Sequence, residues 1–263
     1  MIELTREVRF GVHPEPPETS SQNGFAGNPP LAGLGVFLTL RATVRGPVDP
    51  RTGMLVNIKQ IDTQVRAVAV PRIRSYVHDS GTTVRSGGDL LPALLSELAA
   101  HLPQVELVAL ELGLSPYLSL RITAKEPTMV QMAERFEFSA AHRLHAAALS
   151  EAENEDIFGR CNNPNGHGHN YELEVTLSGP ADPKTGLVMP VPALQKIVNS
   201  RVIDIFDHKH LNVDCVEFAA LNPTVENIAR VIFDKLSGAI KAPAKLLHVR
   251  VWETPKTVAQ YGG

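Results

Sequence analysis

Apolar and polar residues alternate from Arg135 to His142, with Phe136, Phe138 and Ala140 on one parity. A period of two marks a strand, and His142 closes its end. A second alternating run puts Tyr171, Leu173, Val175 and Leu177 on the parity of His167 and His169, with Glu172, Glu174 and Thr176 opposite. The period then changes. Leu194, Ile197, Val198, Val202 and Ile205 form one stripe of a helix over roughly Val191 to Phe206. Thr224 is placed to cap a second helix, whose buried face is Val225, Ile228, Ile232 and Leu236. Lys245 to Glu253 and Thr257 to Tyr261 read as two more strands. The order strand, strand, helix, helix, strand, strand predicts an α+β unit: a four-stranded antiparallel sheet with a helix pair on one face.

The first half repeats this pattern. Gly46-Pro47-Val48-Asp49-Pro50-Arg51-Thr52-Gly53 matches Gly179-Pro180-Ala181-Asp182-Pro183-Lys184-Thr185-Gly186, an offset of 133 from position 46 to position 179. Carried upstream, the offset pairs Phe25 with Phe158, Gly33 with Gly166 and Gly35 with Gly168. Leu38, Leu40, Ala42 and Val44 keep the strand parity. Gly33-Leu34-Gly35-Val36 thus stands where Gly166-His167-Gly168-His169 stands, with Leu34 and Val36 in place of the imidazoles and Asn28 in place of Cys161. Leu107 to Pro116 can be laid on Leu246 to Pro255 at an offset of 139 (116 to 255), where Leu114 replaces Glu253. Loop insertions account for the change in offset. The competing explanation is one turn motif recurring in two unrelated hairpins. A boundary near Pro127 makes residues 1–126 a degenerate copy without metal or catalytic residues, and residues 127–263 the active copy.

Composition narrows the class. With 263 residues, 43% of them hydrophobic and 20% charged, the chain can bury a proper core and is not disordered. A formal charge of −3 gives no basic excess for nucleic acid or an anionic membrane. The first residues lack a signal-peptide apolar core, and no apolar run approaches the roughly 18 residues of a membrane span. Two cysteines, Cys161 and Cys215, do not make a disulfide framework. A reducing cytoplasm is the expected location.

The candidate chemistry is concentrated in Cys161-Asn162-Asn163-Pro164-Asn165-Gly166-His167-Gly168-His169-Asn170. Side chains two apart on a strand share a face, so His167 and His169 can grip one metal ion. Three neutral nitrogens with an open fourth position are the usual catalytic zinc set, and His142 is the best third ligand. It also fits a strand-end histidine hydrogen-bonded in a polar rim. Cys161 lies on a turn-prone run beside the imidazoles. Asp207-His208 follows the first helix, and a carboxylate next to an imidazole orients its tautomer. Such a pair must adopt a bent, helix-end geometry, because adjacent helical residues do not face each other. Together with a thiol it can move protons near neutral pH. Glu253, late in its strand, could accept two N–H donors from a guanidine-like ring edge, and reads equally as a solvated strand-end carboxylate. Trp252 points to the other sheet face and reads as packing.

Several spaced motifs occur in one order: Cys161-x5-His167-x-His169-Asn170-Tyr171, Asp182-x-x-Thr185-Gly186, Asp207-His208-Lys209, Pro223-Thr224-x-Glu226-Asn227 and Glu253-Thr254. In them the second half, about Glu134 to Gly262, closely resembles the 6-pyruvoyltetrahydropterin synthase family. The related 6-carboxytetrahydropterin synthases share most of these motifs but usually have a shorter gap from the Cys to His-Gly-His. The first half resembles the same tunnelling fold without its functional residues. The resemblance implies two tandem tunnelling-fold units. It implies Zn2+ on His142, His167 and His169, and 7,8-dihydroneopterin triphosphate as substrate, converted to 6-pyruvoyltetrahydropterin with release of triphosphate. It makes Cys161 the general base, with Asp207 and His208 completing the proton relay. Glu253 would anchor the pterin with Thr224, Glu226 and Thr254. It further implies a homo-oligomer, a trimer or dimer of trimers, with sites between chains. The 6-carboxy synthase of queuosine biosynthesis, using the same substrate and site, is the alternative. A zinc-hydroxide hydrolase would need neither Cys161 nor Glu253, and a non-catalytic assembly protein would need none of these residues.

Overall fold

A computed structural model describes residues 1–13, 34–78 and 87–262. The positions proposed to match Phe158, Cys161 and Gly166, namely Phe25, Asn28 and Gly33, lie outside the described residues. The chain forms two compact units: residues 1–132 with 179–188, and residues 133–178 with 189–263.

In the first unit, β1 (Ile2–Val12) pairs antiparallel with β2 (Val36–Gly46). Helix α1 (Ile58–Gln64) starts at Asn57, whose side chain accepts from the Lys59 amide at 3.0 Å. It passes through a π turn at Val65–Ala69 into α2 (Val70–His78). Helix α3 (Leu90–His101) precedes β3 (Glu106–Gly113) and β4 (Leu118–Thr123), and the strand order is β1-β2-β3-β4. Leu40, Ala42, Val44, Ile61, Val65, Leu94, Leu98 and Leu110 are fully buried, so the strand-parity residues of β2 share the core with apolar residues of the helices and of β3. The opposite sheet face carries charge: Arg41 bridges Glu7 at 2.8 Å and Glu111 at 2.9 Å.

Strand β5 (Glu126–His142) ends on His142 as its alternation predicts. The part of β5 from Ala133 onward belongs to the second unit. There follow α4 (Glu151–Phe158), β6 (His167–Gly179), α5 (Val191–Val198), a π turn at Asn199–Ile203, and α6 (Asp204–Phe206). Two-residue β7 (Lys209–His210) and α7 (Leu211–Asp214) lead to α8 (Val225–Ser237), β8 (Lys245–Thr254) and β9 (Thr257–Gly262). The strand order is β5-β6-β8-β9, and β7 pairs parallel with β5 at Ala140 and Ala141. Thr224 caps α8 as expected, accepting from the Asn227 amide at 3.4 Å. Trp252 is half-buried, with the Arg135 guanidinium 5.1 Å from its ring centroid, in keeping with a packing role. The architecture is α+β, an antiparallel sheet with helices.

The pairing registers agree with the sequence offsets. In the first unit Thr39 faces Gly113, Leu40 faces Leu112, and the ladder slips between Thr43 and Val44. In the second, Glu172 faces Trp252, Leu173 faces Val251, and the slip lies between Thr176 and Leu177. Ala109 faces Thr123, and His248 faces Gly262. Each pair is carried onto its counterpart by the offsets of 133 and 139. Helices α1 and α5 begin at positions the first offset also connects, and each runs into a five-residue π turn.

Among the described residues the carboxylates of Glu134 and Glu174 lie inside the second unit. Glu134 is 4% exposed; one carboxylate oxygen accepts from Gln195 Nε2 at 2.6 Å and the other has no partner. Burial raises its pKa, and the Gln195 bond only partly opposes this. A carboxyl raised in the folded state stabilises below its unfolded pKa, and that contribution fades as pH rises through the folded value. Glu134→Gln removes the titration while keeping the shape. The difference in Tm between variant and parent therefore grows in the variant's favour as pH increases from acid to neutral. Thermal melts across that range check this, and a variant less stable than the parent at neutral pH contradicts it.

Candidate metal and catalytic site

The end of β5 meets the start of β6, which brings His142 onto the face carrying His167 and His169. One ligand atom from each lies within 4.8 Å of the other two. His142 Nε2 and His167 Nε2 are 3.1 Å apart. His142 is fully buried, and its Nδ1–H donates to the Pro223 carbonyl at 2.8 Å. That bond fixes the tautomer and leaves the Nε2 lone pair facing the other imidazoles. Burial pushes its pKa down to about 4, opposed by the Pro223 bond and reinforced by His167, His169 and His210. His167 is lowered too, by burial first and then by His169. Both are neutral at physiological pH, the state that ligates a metal. His169 Nε2 and His167 Nδ1 are buried without hydrogen-bond partners. Buried nitrogens are rarely left so, and a cation beside His142 Nε2 and His167 Nε2 would satisfy His169 Nε2. The cluster can hold a metal ion.

Glu253 turns toward the imidazoles. Its Oε1 lies 3.4 Å from His142 Nε2 and 3.8 Å from His169 Nε2. The carboxylate expected at a ring edge therefore also faces the imidazole cluster. Tyr171 stacks on Phe138 at 5.0 Å, and its hydroxyl is 3.4 Å from His142 Nδ1. Burial raises its pKa and the Glu253 charge adds to this, so the phenol stays protonated.

Asp207 and His208 take the bent geometry expected of them. Asp207 leaves α6 in an extended conformation, and His208 has φ +57°. A non-glycine residue at positive φ is uncommon, although His is enriched there. Asp207 Oδ2 accepts from His208 Nδ1 at 2.8 Å, and Oδ1 accepts from the Ser139 amide at 2.8 Å. The Ser139 bond first, then His208, lowers the Asp207 pKa. His208 is 83% exposed. Among the described residues no hydrogen bond or ion pair links Cys161 to Asp207 or His208.

Cys161 lies on a single 3-10 turn, Gly159–Asn162, after α4. Its carbonyl accepts from Leu144 at 2.9 Å, and the adjacent Asn162 accepts from Arg143 Nε at 2.9 Å. Helix α4 is absent from the sequence reading, although Ser150 and Glu153 form a capping box that signals it. Asn154, fully buried, ties its start to the strand end by accepting from Ala146 N at 2.8 Å and donating to the Ala146, Leu149 and Ser150 carbonyls. Thr224 Oγ1 serves as a cap, and Thr254 Oγ1 accepts from Lys256 N at 3.2 Å in the β8–β9 turn, so both are engaged locally. Glu226 is exposed on the first turn of α8. Sequence reasoning missed the Pro223 carbonyl and His210, which nearly touches Gly166: a Cβ there would sit 2.6 Å from His210 Nε2.

Both cysteines are free. Cys215 is 3% exposed, and burial pushes its thiol up to about 11, reinforced by Glu217 and Asp214. Only thiolate reacts with disulfide reagents. At pH 8 an aromatic disulfide reagent therefore modifies one thiol per native chain rapidly, and Cys161→Ala removes that phase. Comparable rates at Cys215 would contradict this environment.

The fold and cluster define an α+β protein with a three-imidazole cluster that could hold a metal ion. Residues 131–263 match the family described as 6-pyruvoyl tetrahydropterin synthase, and the chain belongs to that family. It is 43% identical over 134 residues to the human 6-pyruvoyl tetrahydrobiopterin synthase, across 51% of this chain and 91% of that protein. It is similar to the structure of 6-pyruvoyl tetrahydropterin synthase from Caenorhabditis elegans at 44% identity and TM-score 0.49, covering 51% of this chain and 96% of the other. A more distant relative is the 6-carboxy-5,6,7,8-tetrahydropterin synthase of Haemophilus influenzae, 28% identical over 153 residues, 51% of this chain and 99% of that protein.

Proposed function

We propose that the chain is a zinc-dependent lyase that converts 7,8-dihydroneopterin triphosphate to 6-pyruvoyltetrahydropterin and releases triphosphate. The observation that carries this is the trio of converging imidazoles with the Glu253 carboxylate beside them. His142, His167 and His169 would hold zinc, which when bound would supply Lewis-acid polarisation of the substrate's side-chain hydroxyls and so acidify the neighbouring C–H. Cys161 takes the proton from the side-chain carbon. Asp207 holds His208 Nδ1–H, leaving Nε2 free to pass a proton. Glu253 accepts from the pterin ring edge, with Thr224, Glu226 and Thr254 at the rim. The redox change is internal to the substrate, so no nicotinamide is required.

The corresponding registers, slips and π turns support a tandem duplication, with residues 1–126 a degenerate tunnelling-fold copy and residues 127–263 the catalytic one. The exposure of His208 supports a relay completed by a neighbouring chain in a homo-oligomer, a trimer or dimer of trimers. Cys161→Ala and His208→Ala chains are then each inactive alone. Co-assembled in equal amounts, they regain roughly a quarter of the competent interfaces by random pairing in a closed ring. Activity after co-refolding checks this, and no recovery contradicts it. Two free cysteines support a reducing, cytoplasmic setting. No helix among the described residues is long and apolar enough to cross a membrane.

Chelation tests the assignment. Removing the metal with dipicolinate abolishes triphosphate release, and Zn2+ restores it. Undiminished release by metal-free protein would overturn the reading. The similarity to the Haemophilus influenzae protein favours the 6-carboxy product as the second reading.

A further inference from the structure

The first unit contains a cavity of about 310 Å³ between its sheet and its helices. Leu38, Leu112 and Leu118 line it from the strands, Ile73 and Leu91 from the helices, and residues 181 and 185–187 of the Asp182 turn from a third side, and it is partly open to the surface. That turn packs closely: a Cβ on Gly88 would come within 3.1 Å of the Ala181 carbonyl oxygen. Among the described residues no charged side chain lines the space. Its polar side chains are already engaged, Tyr76 Oη donating to the Lys184 carbonyl at 3.4 Å and Thr185 Oγ1 to Asp182 Oδ1 at 3.0 Å. Among the described residues no side chain of the wall is left to offer an ion or a water the partners it would need.

The origin of the space is legible in the paired registers. At the offset of 133, Val36 and Leu38 correspond to His169 and Tyr171, and Ile73 to Phe206. At 139, Leu112 and Leu114 correspond to Val251 and Glu253. In the second unit the Tyr171 and Phe206 rings are fully buried and both pack on Phe138, with centroids at 5.0 and 6.3 Å. Leucine and isoleucine stand at those places in the first unit, and the aromatic volume is missing. The histidine and glutamate of the second unit's site are matched by Val36 and Leu114, both on the cavity wall.

We propose that this cavity is a binding site for an uncharged, apolar small molecule, at the place in the first unit that the imidazole–carboxylate site takes in the second. It rests on the duplication proposed above for its location, and on the cavity itself for its chemistry. The volume is about twice that of the ~150 Å³ apolar cavity that admits benzene. A two-ring aromatic or an aliphatic chain of about ten carbons fits; a helix or a second copy of the chain does not. Small-molecule pockets start near this size.

The test uses the zinc-loaded full chain and the uncharged fluorophore N-phenyl-1-naphthylamine. One saturable site per chain is expected, with affinity lowered at least tenfold by Ile73→Phe, which refills the space, and by Leu118→Trp at its half-exposed edge. His142→Ala leaves the affinity within twofold. Hydrogen exchange on the unsubstituted complex locates the probe without any variant. Protection over Val70–Val77 and Leu90–Leu98 supports the proposal. Absence of saturable binding, affinity indifferent to both filling variants, or protection confined to His142 and residues 167–171 overturns it. Triphosphate release is measured on the same sample, so probe binding without turnover discredits the lyase reading alone, and turnover without probe binding discredits this one alone.

Discussion

His142→Ala empties the metal site and stops turnover together. His142 contributes one nitrogen of the cluster, and its Nδ1 bond to the Pro223 carbonyl aims that nitrogen. Two imidazoles on one strand remain, a set that does not make a catalytic zinc site. Bound zinc falls from one per active unit to near zero in purified protein. Triphosphate release drops by roughly 10³-fold or more, the equivalent of the several kcal/mol of charge stabilisation a metal supplies. The residue is fully buried, so some loss of stability accompanies the change. His167→Ala, at a half-exposed position, gives the same loss of metal with less effect on Tm. Full zinc occupancy in both variants would remove His142 and His167 from the ligand set.

Cys161→Ala separates proton transfer from metal binding. The thiol stands on a 3-10 turn outside the imidazole cluster, so zinc content stays at the parent value. Turnover falls by about 10² to 10⁴-fold, the usual worth of a positioned general base. On the proposed assignment substrate still binds, because His142, His167, His169 and Glu253 are untouched. The informative result is therefore a collapsed kcat with zinc retained. A variant that keeps parent turnover would assign proton removal elsewhere and favour a metal-hydroxide hydrolysis that needs no thiol.

Much of the fold and site was legible in the sequence because it rests on period and spacing. The i, i+2 imidazoles share a face on any strand, and the alternation of Phe136, Phe138 and Ala140 carries β5 to His142. Thr224 declared itself as a cap by type and position. The order of strands and helices in each half followed from the change of period between two and 3.6. What escaped depends on backbone groups and on contacts between distant segments. The carbonyl that orients His142 belongs to Pro223, whose side chain says nothing about it. Strand β7 is two residues long, too short for any periodicity, and directly follows His208, which turns through positive φ. The nearness of Glu253 to two imidazoles depends on the register of β8 against β6, which sequence spacing does not fix. Helix α4 is the exception, since its Ser150–Glu153 capping box stood in plain view.

The most direct measurement is anaerobic incubation of zinc-loaded protein with 7,8-dihydroneopterin triphosphate, with the pterin product identified by mass. The expected products are 6-pyruvoyltetrahydropterin and one released triphosphate per turnover. A 6-carboxy product with acetaldehyde, or substrate recovered unchanged, would contradict the proposed activity.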